Sequence, residues 1–448
     1  MNGMTIKSAA EASCGVLSCE SGCDAVLGKV VIDSRAVEPG DFFVAFKGER
    51  ADGNDYITAA FDRGAVCCLA QRAPEGETRP VIVVLDVQDA LESICAAYRS
   101  TLNIPVIGIT GSVGKTSVKE MIAAVLSRRF AVLKTDKNMN NQIGVPMTLS
   151  RIAPTDEAAV VEMGISDFGE MSRLAQMVRP TVAVFTVIGH AHLEFLRDPD
   201  GVLEAKTEML DYMPRDGLVV VNGDDERLAR LKCAQRIISV GLGENCDIRA
   251  EELRLDALGN TDCVLTYGER RVSVHIPAFG RHMVYAALEG AAVGFALGLS
   301  DGEIQAGIAD YKTVGRRAAL TDTGYLTLVD DSYNANPDSM LSGIDSLMSL
   351  PGRHVCILGD MLELGEKSPE MHYETGRYAA ARGADAVLTC GELAAETSRG
   401  AGSAGTHFPD RAALIAALPE RIHRGDAVLV KASRGSCFEE VADALKRL

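Results

Sequence analysis

Val106-Ile-Gly-Ile-Thr-Gly-Ser-Val-Gly-Lys-Thr-Ser117 decides the fold. It reads as a buried apolar strand, a glycine-bearing turn, and Lys-Thr at the start of a helix. Val118, Met121, Ile122, Val125 and Leu126 give that helix an apolar face. Such a turn is a cradle for a nucleotide triphosphate. Gly111 and Gly114 let the backbone curl, so that the amides of Ser112, Val113 and Ser117 join the helix N-terminus in meeting phosphate oxygens. Lys115 can bridge the β- and γ-phosphates, and the Thr116 hydroxyl can ligate Mg²⁺. The spacing is shorter than the Walker pattern: only Ser112 and Val113 separate Gly111 from Gly114-Lys115. Gly108 stands at the longer spacing but lies inside the strand.

Outward from this turn, strands and helices alternate, which predicts parallel doubly wound sheets. The expected architecture is α/β in three domains. A small N-terminal α/β domain covers residues 1–100, with apolar runs at Lys29–Ile32, Phe42–Phe46 and Val81–Leu85. A central P-loop ATPase domain covers 101–317 and continues through strands at Ala158–Met163, Val182–Val187 and Leu218–Asn222. Within it, 247–276 reads as a small antiparallel excursion. A C-terminal Rossmann-like domain covers 318–448, with strands at Leu326–Asp330, Val355–Leu358, Ala386–Thr389 and Ala427–Lys431.

The chain has 448 residues, enough for two to four domains. Its formal net charge of −17 argues against nucleic acid as a partner but allows a local site for an anionic ligand. No window of about 18 apolar residues suggests a membrane span. The first residues lack the basic-then-apolar pattern of a signal peptide. The expected location is the cytoplasm, where the 12 cysteines remain thiols.

Open α/β sheets bind ligands at the carboxyl ends of their strands. Glu162 ends one strand and can hold Mg²⁺ opposite Thr116. His192, in Ile188-Gly-His-Ala-His-Leu-Glu194, follows the next strand as a metal or phosphate contact, or as an ordinary turn residue. Lys206 falls on a helix with Val202, Leu203, Met209 and Leu210, and by pattern alone it is a solvated lysine. The asparagine-rich loop Lys134–Pro146, including Asn141, can bind substrate or phosphate. Arg316 and Arg317 precede the last domain, where an arginine can swing onto the triphosphate. Asp331, Asn334 and Asn336 lie just past a strand and suit ribose hydroxyls or a second substrate.

Together these residues resemble the Mur ligases, three-domain ATP-dependent amide-forming enzymes of peptidoglycan precursor synthesis. The motifs are Asp33-Ser-Arg-Ala-Val-Glu-Pro-Gly-Asp-Phe-Phe-Val44, Thr110-Gly-Ser-Val-Gly-Lys-Thr116, Asn140-Asn-Gln-Ile-Gly-Val-Pro146, Glu162-Met-Gly164, Ala191-His-Leu-Glu194 and Ala205-Lys206. Asp331-Ser-Tyr-Asn-Ala-Asn-Pro337 and Leu358-Gly-Asp-Met-Leu-Glu-Leu-Gly365 complete the set. The resemblance implies that ATP activates the carboxylate of a UDP-N-acetylmuramoyl-tripeptide as an acyl phosphate. The incoming amine is then D-alanyl-D-alanine, and the enzyme is a monomer.

Residue by residue, the resemblance gives Lys115 the triphosphate and Thr116 and Glu162 a first Mg²⁺. His192 and a carbamylated Lys206 take a second. Asp331 takes the ribose, Arg316 a phosphate, Asn141 and His282 the nucleotide, Ser34 and Arg35 the uridine end, and Asn334 and Asn336 substrate. Two places depart from the family. Met283 and Ala286 replace the asparagines of Gly-x-His-Asn-x-x-Asn, and Val187 replaces the asparagine of Thr-Asn-Ile-Gly. The alternatives are a sister ligase adding the third-residue diamino acid, whose Asp-Asn-Pro-Arg-like motif is missing here, and a nucleotide-driven switch without catalysis.

Overall fold

Residues 1–19, 21–256 and 259–448 are described by a computed structural model, and three sheets organise them. The central sheet has nine strands, in the order 270–276, 261–267, 248–255, 236–241, 218–222, 182–185, 106–110, 158–162 and 132–134. All pairs from 248–255 to 132–134 are parallel. The expected excursion at 247–276 is instead an antiparallel extension of this sheet, because Ile248 continues the parallel ladder beside Val240. Residues 257–258 of that stretch lie outside the described residues.

The strand Val106–Thr110 is buried along its whole length, as parallel strands covered on both faces are. Its side chains split by the period of two. Ile107 and Ile109 face the helices Lys115–Leu126 and His282–Ala296, while Val106 faces the opposite core. Val160 and Val161 divide likewise, as do Val220 and Val221. Gly108 belongs to this packing and not to the phosphate turn. A Cβ there would sit 3.0 Å from Met163 Sδ and 3.1 Å from Met209 Sδ.

The first sheet (Val16–Leu17, Val81–Val83, Cys67–Ala70, Phe42–Val44, Val30–Val31) shares one continuous core with the central one. Tyr98 Oη donates to the Ile152 carbonyl at 2.5 Å, and Val30 N to Ser150 Oγ at 2.9 Å. The third sheet orders Ala319–Asp322, Thr327–Asp331, Ala427–Lys431, His354–Leu358, Ala386–Cys390 and Gly405–Phe408, parallel after the first pair. Its carboxyl edge carries the loops 331–337, 359–366 and 432–436, and Asp338 and Glu363 from this edge meet His190 and His192 at the carboxyl edge of the central sheet. Among the described residues no disulfide joins any of the twelve cysteines. No helix among the described residues is long and apolar enough to cross a membrane.

Candidate active site

Two glycines shape the turn after Thr110. Gly111 has φ +151°, and a Cβ there would lie 2.0 Å from Thr186 Oγ1. Gly114, at φ +85°, starts the helix at Lys115. The segment after strand Val182–Phe185 stitches this turn down. Thr186 Oγ1 donates to the Val113 carbonyl at 2.5 Å, and Ser112 N to the Val187 carbonyl at 2.8 Å. Gly189 N donates to Ser112 Oγ at 2.9 Å. Lys115 Nζ folds back onto the Gly111 carbonyl at 2.7 Å. Loss of solvent lowers the pKa of this amine, the Glu162 carboxylate partly offsets this, and the Arg317 charge adds a smaller lowering.

Thr116 Oγ1 lies 3.0 and 3.2 Å from the two oxygens of Glu162, so the structure brings these two together. Asn140 Nδ2 donates to the same carboxylate at 2.8 Å, and the buried Lys119 ammonium stands 3.7 Å away. Both are contacts that sequence reading missed. Lys119 was not a sequence candidate, and its place beside Glu120 and Glu162 gives it meaning. Asn141, expected to bind nucleotide, spends its side-chain oxygen on the amides of Ile143 and Gly144 at the start of a helix. Ser117 packs in the first turn of the helix and hydrogen-bonds the Tyr311 side chain.

Lys206 is not a solvated lysine. It is 1% exposed on the helix Pro199–Thr207. Burial pushes its amine pKa well below the ordinary value, and the Lys115 charge adds to this. Among the described residues no carboxylate pairs with it.

His192 starts the short helix Leu193–Leu196 with a left-handed backbone, φ 55°. Across the crevice Glu363 is also left-handed, φ 62°. Its Oε2 lies 2.5 Å from His192 Nδ1, an ion-pair contact off the hydrogen-bond line. That contact holds the Glu363 carboxyl below its usual range. Each of these left-handed non-glycine residues costs on the order of 1 kcal/mol, which the surrounding packing must hold in place.

A second bridge lies beside it. His190 N donates to Asp338 Oδ2 at 2.5 Å, and His190 Nδ1 lies 3.1 Å from Oδ1. A Cβ at Gly189 would meet Asp338 Oδ2 at 2.2 Å. Neither His190 nor Asp338 was a sequence candidate. The legible signal was Asn336-Pro337, an N-cap and first-turn pair that places Asp338 in the first turn of helix Pro337–Leu347. Asn336 itself caps that helix, accepting from Ser339 N at 2.9 Å, so its side-chain oxygen is not available to substrate. Asn334 is exposed, and its carbonyl accepts from Lys431 at 3.0 Å.

Arg316 does not reach the phosphate turn. Its guanidinium is held at 2.9 Å by buried Asp330 and at 2.8 and 2.9 Å by Asp443. Arg317 is the arginine in Coulomb range of Lys115, and it stacks 4.0 Å from the Tyr333 ring. Asp331 accepts from Ala318 N at 3.0 Å and pairs with Lys431 at 2.5 Å. These two charges face His282, whose buried Nδ1 has no partner and whose pKa is lowered by burial. An orphaned ring nitrogen between the central and third sheets is fit to receive a ligand's hydrogen bond. Met283 and Ala286 point into the core under the central sheet and do not line this gap. Ser34 and Arg35 stand apart, on an exposed turn of the first sheet. Arg35 is 84% exposed and closes on Asp33 at 2.8 Å.

Family models match three stretches of the chain: "Mur ligase family, catalytic domain" at 28–99, "Mur ligase middle domain" at 109–294, and "Mur ligase, glutamate ligase domain" at 315–434. The chain is 34% identical to the UDP-N-acetylmuramoyl-tripeptide--D-alanyl-D-alanine ligase of Bacillus subtilis, over 98% of both chains. MurF from Acinetobacter baumannii superposes with a TM-score of 0.91 at 29% identity, covering 99% of each chain. MurF ligase from Thermotoga maritima, solved in complex with ADP, superposes with a TM-score of 0.84 at 28% identity, covering 94% of this chain and 97% of that one.

Proposed function

The chain belongs to the Mur ligase family, and we propose that it is the ATP-dependent, ADP-forming member that joins D-alanyl-D-alanine to UDP-N-acetylmuramoyl-tripeptide. The three sheets correspond to domains at 1–100, 101–317 and 318–448. One observation carries the reading: Lys115, Thr116, Glu162 and Lys206 converge at the carboxyl edge of the central sheet, beneath loops of the third. Both walls of the crevice come from one chain, so a monomer suffices. ATP, a nucleotide-linked precursor and free thiols suit the cytoplasm.

In this reading the tripeptide carboxylate attacks the γ-phosphorus of ATP, the β,γ-bridging P–O bond breaks, ADP leaves, and the carboxylate becomes an acyl phosphate. The dipeptide amine then displaces phosphate through a tetrahedral intermediate. Lys115 and the turn amides hold the triphosphate and balance its charge. Arg317, and not Arg316, faces the phosphate being transferred. His282, Asp331 and Lys431 face the nucleoside, while Ser34 and Arg35 take the uridine end of the precursor.

Mg²⁺ would supply neutralisation of the phosphate charge. Thr116 and Glu162 are hard oxygen donors already side by side, which suits an ion that keeps several waters and takes its other ligands from phosphate. His192 fits a second cation through an Nδ1 that has no aligned hydrogen bond. Lys206 fits it only as an anion. A buried amine of lowered pKa loses its proton readily and adds CO₂, forming an N–C bond and releasing a proton, which turns a repelling cation into a carbamate.

The test is phosphate release with ATP and Mg²⁺, omitting each substrate in turn, with mass detection of the UDP-pentapeptide. Release is expected only when both substrates are present. Release that ignores D-alanyl-D-alanine, or that needs a diamino acid in its place, contradicts the assignment.

A further inference from the structure

Two arginines share one tyrosine on the wall facing the phosphate turn. Arg317 Cζ lies 4.0 Å from the Tyr333 ring centroid, and Arg434 Cζ lies 4.8 Å from the same centroid. Among the described residues, neither guanidinium pairs with a carboxylate or donates to the protein. This is unusual for the neighbourhood. Arg316, Lys431 and Lys446, all close in the fold, are each held by Asp330, Asp331 or Asp443. A tyrosine face offsets roughly 0.5–1 kcal/mol for each exposed cation, too little to explain gathering two of them. Their charge is left over for a ligand.

The position of Arg434 says which ligand. Its loop leaves the strand Ala427–Lys431 and is tied to both neighbouring loops. Ser433 Oγ accepts from Leu362 N at 3.0 Å and donates to the Ala335 carbonyl at 3.2 Å. A Cβ at Gly435 would touch Leu362 Cδ1 at 3.3 Å. Leu362 precedes Glu363, the residue on His192. Arg434 is therefore held rigidly beside the loop that reaches the reaction centre. Arg317 acts on Lys115 by its charge, and Arg434 shares the Tyr333 ring with Arg317 on the third-sheet wall.

The ligase reading, on which this inference rests, requires a dipeptide whose amine points at the acyl phosphate. At neutral pH the only other charge on that dipeptide is its terminal carboxylate. We propose that Arg434, held on Tyr333 beside Arg317, binds the terminal carboxylate of the incoming dipeptide and sets the enzyme's preference for a free acid at that end. A guanidinium suits this task, since its fork matches a carboxylate with two parallel bonds.

Steady-state phosphate release tests this with wild type, Arg434→Gln and Arg434→Lys, using D-alanyl-D-alanine and its C-terminal amide. Wild type is expected to favour the acid by roughly tenfold to hundredfold in kcat/KM, the size of one or two charge-assisted bonds. Arg434→Gln should raise KM for the acid by a similar factor and erase the acid-over-amide preference. Its KM for ATP and for the UDP-tripeptide should stay within about twofold of wild type. Arg434→Lys should recover part of the preference as a point charge. An undiminished preference in Arg434→Gln overturns the proposal. So does a rise in KM for ATP in place of the dipeptide, which would put the guanidinium on phosphate. A wild-type enzyme that releases no phosphate with the dipeptide overturns the ligase reading itself.

Discussion

The two walls of the crevice are built differently. On the central sheet the polar groups around the phosphate turn are mostly sunk into packing and tied to a neighbour: Thr116 to Glu162, Glu162 to Asn140 and Lys119, and Ser112 to Gly189. On the third sheet the groups that face across are half-exposed. They reach the other wall through a few polar contacts, Asp338 to His190 and Glu363 to His192, while Arg317 and Arg434 remain unpaired. Burial fixes the first wall before any ligand arrives. The second wall keeps its charge available and joins the first through bonds that can break, which suits a surface that must admit a substrate and release a product in each turnover.

Four substitutions put this contrast under strain. The largest effect is expected at the fixed wall. Lys115→Ala should lower kcat by about 10²–10³, the usual size for removing one preorganised charge from a transferring group. Near-normal turnover by a folded variant removes Lys115 from the mechanism. Next is the joint between the walls. Gly189→Ala forces a methyl group against Asp338, whose Oδ2 would lie 2.2 Å from it. Separating the walls should cost up to about 10²-fold in kcat/KM, while ADP affinity by calorimetry stays within about twofold. Equal losses in both would show that the joint also shapes the nucleotide site.

Smaller still is Arg35→Ala on the exposed first-sheet turn. It should raise KM for the UDP-tripeptide roughly tenfold and leave ADP binding unchanged. Matched losses in calorimetry for both ligands would contradict the separation of sites.

The smallest effect on catalysis is expected under the fixed wall. Glu289 is fully buried in the helix His282–Ala296, and neither carboxylate oxygen has a partner. Burial raises its pKa well above the unfolded value near 4.5. The folded protein therefore keeps a proton that the unfolded chain releases as pH rises past that value, and stability falls from there upward. Glu289→Met should leave turnover near wild type. Its thermal midpoint should exceed wild type by a margin that is smallest near pH 4, where both states are protonated, and that grows toward pH 8. A constant margin across pH would mean that Glu289 has a partner when the protein is in solution.

The same contrast explains what the sequence disclosed. The phosphate strand, its two glycines and the Glu162 strand end were legible, because local spacing alone sets them. Four of the third sheet's six strands were legible within a residue or so, while the edge strands Ala319–Asp322 and Gly405–Phe408 were not. What escaped depends on which surface a residue meets. Lys206 has the pattern of a solvated helix lysine, and only tertiary packing buries it. Arg316 and Arg317 are neighbours of identical chemistry, and the position of Asp443, far along the chain, decides which one is taken away. Asn141 and Asn336 carried the composition of a binding loop, yet Asn141 accepts from the amides of Ile143 and Gly144 and Asn336 caps a helix, a competing use of the same side chain. His190 and Asp338 gain meaning only because two distant turns meet.

Lys206 is the residue on which the account turns, since unlike buried Lys119 it has no carboxylate partner among the described residues, and the carbamate supplies the change of charge that would explain it. The direct measurement is turnover of Lys206→Ala with and without an added short-chain carboxylate, alongside ADP binding to verify the fold. The expected result is a loss of about 10²-fold or more in kcat, normal ADP binding, and partial recovery when the carboxylate restores an anion. Turnover close to wild type in Lys206→Ala, or a loss that no carboxylate relieves while ADP still binds, would contradict the carbamate and return Lys206 to the helix as a buried structural amine.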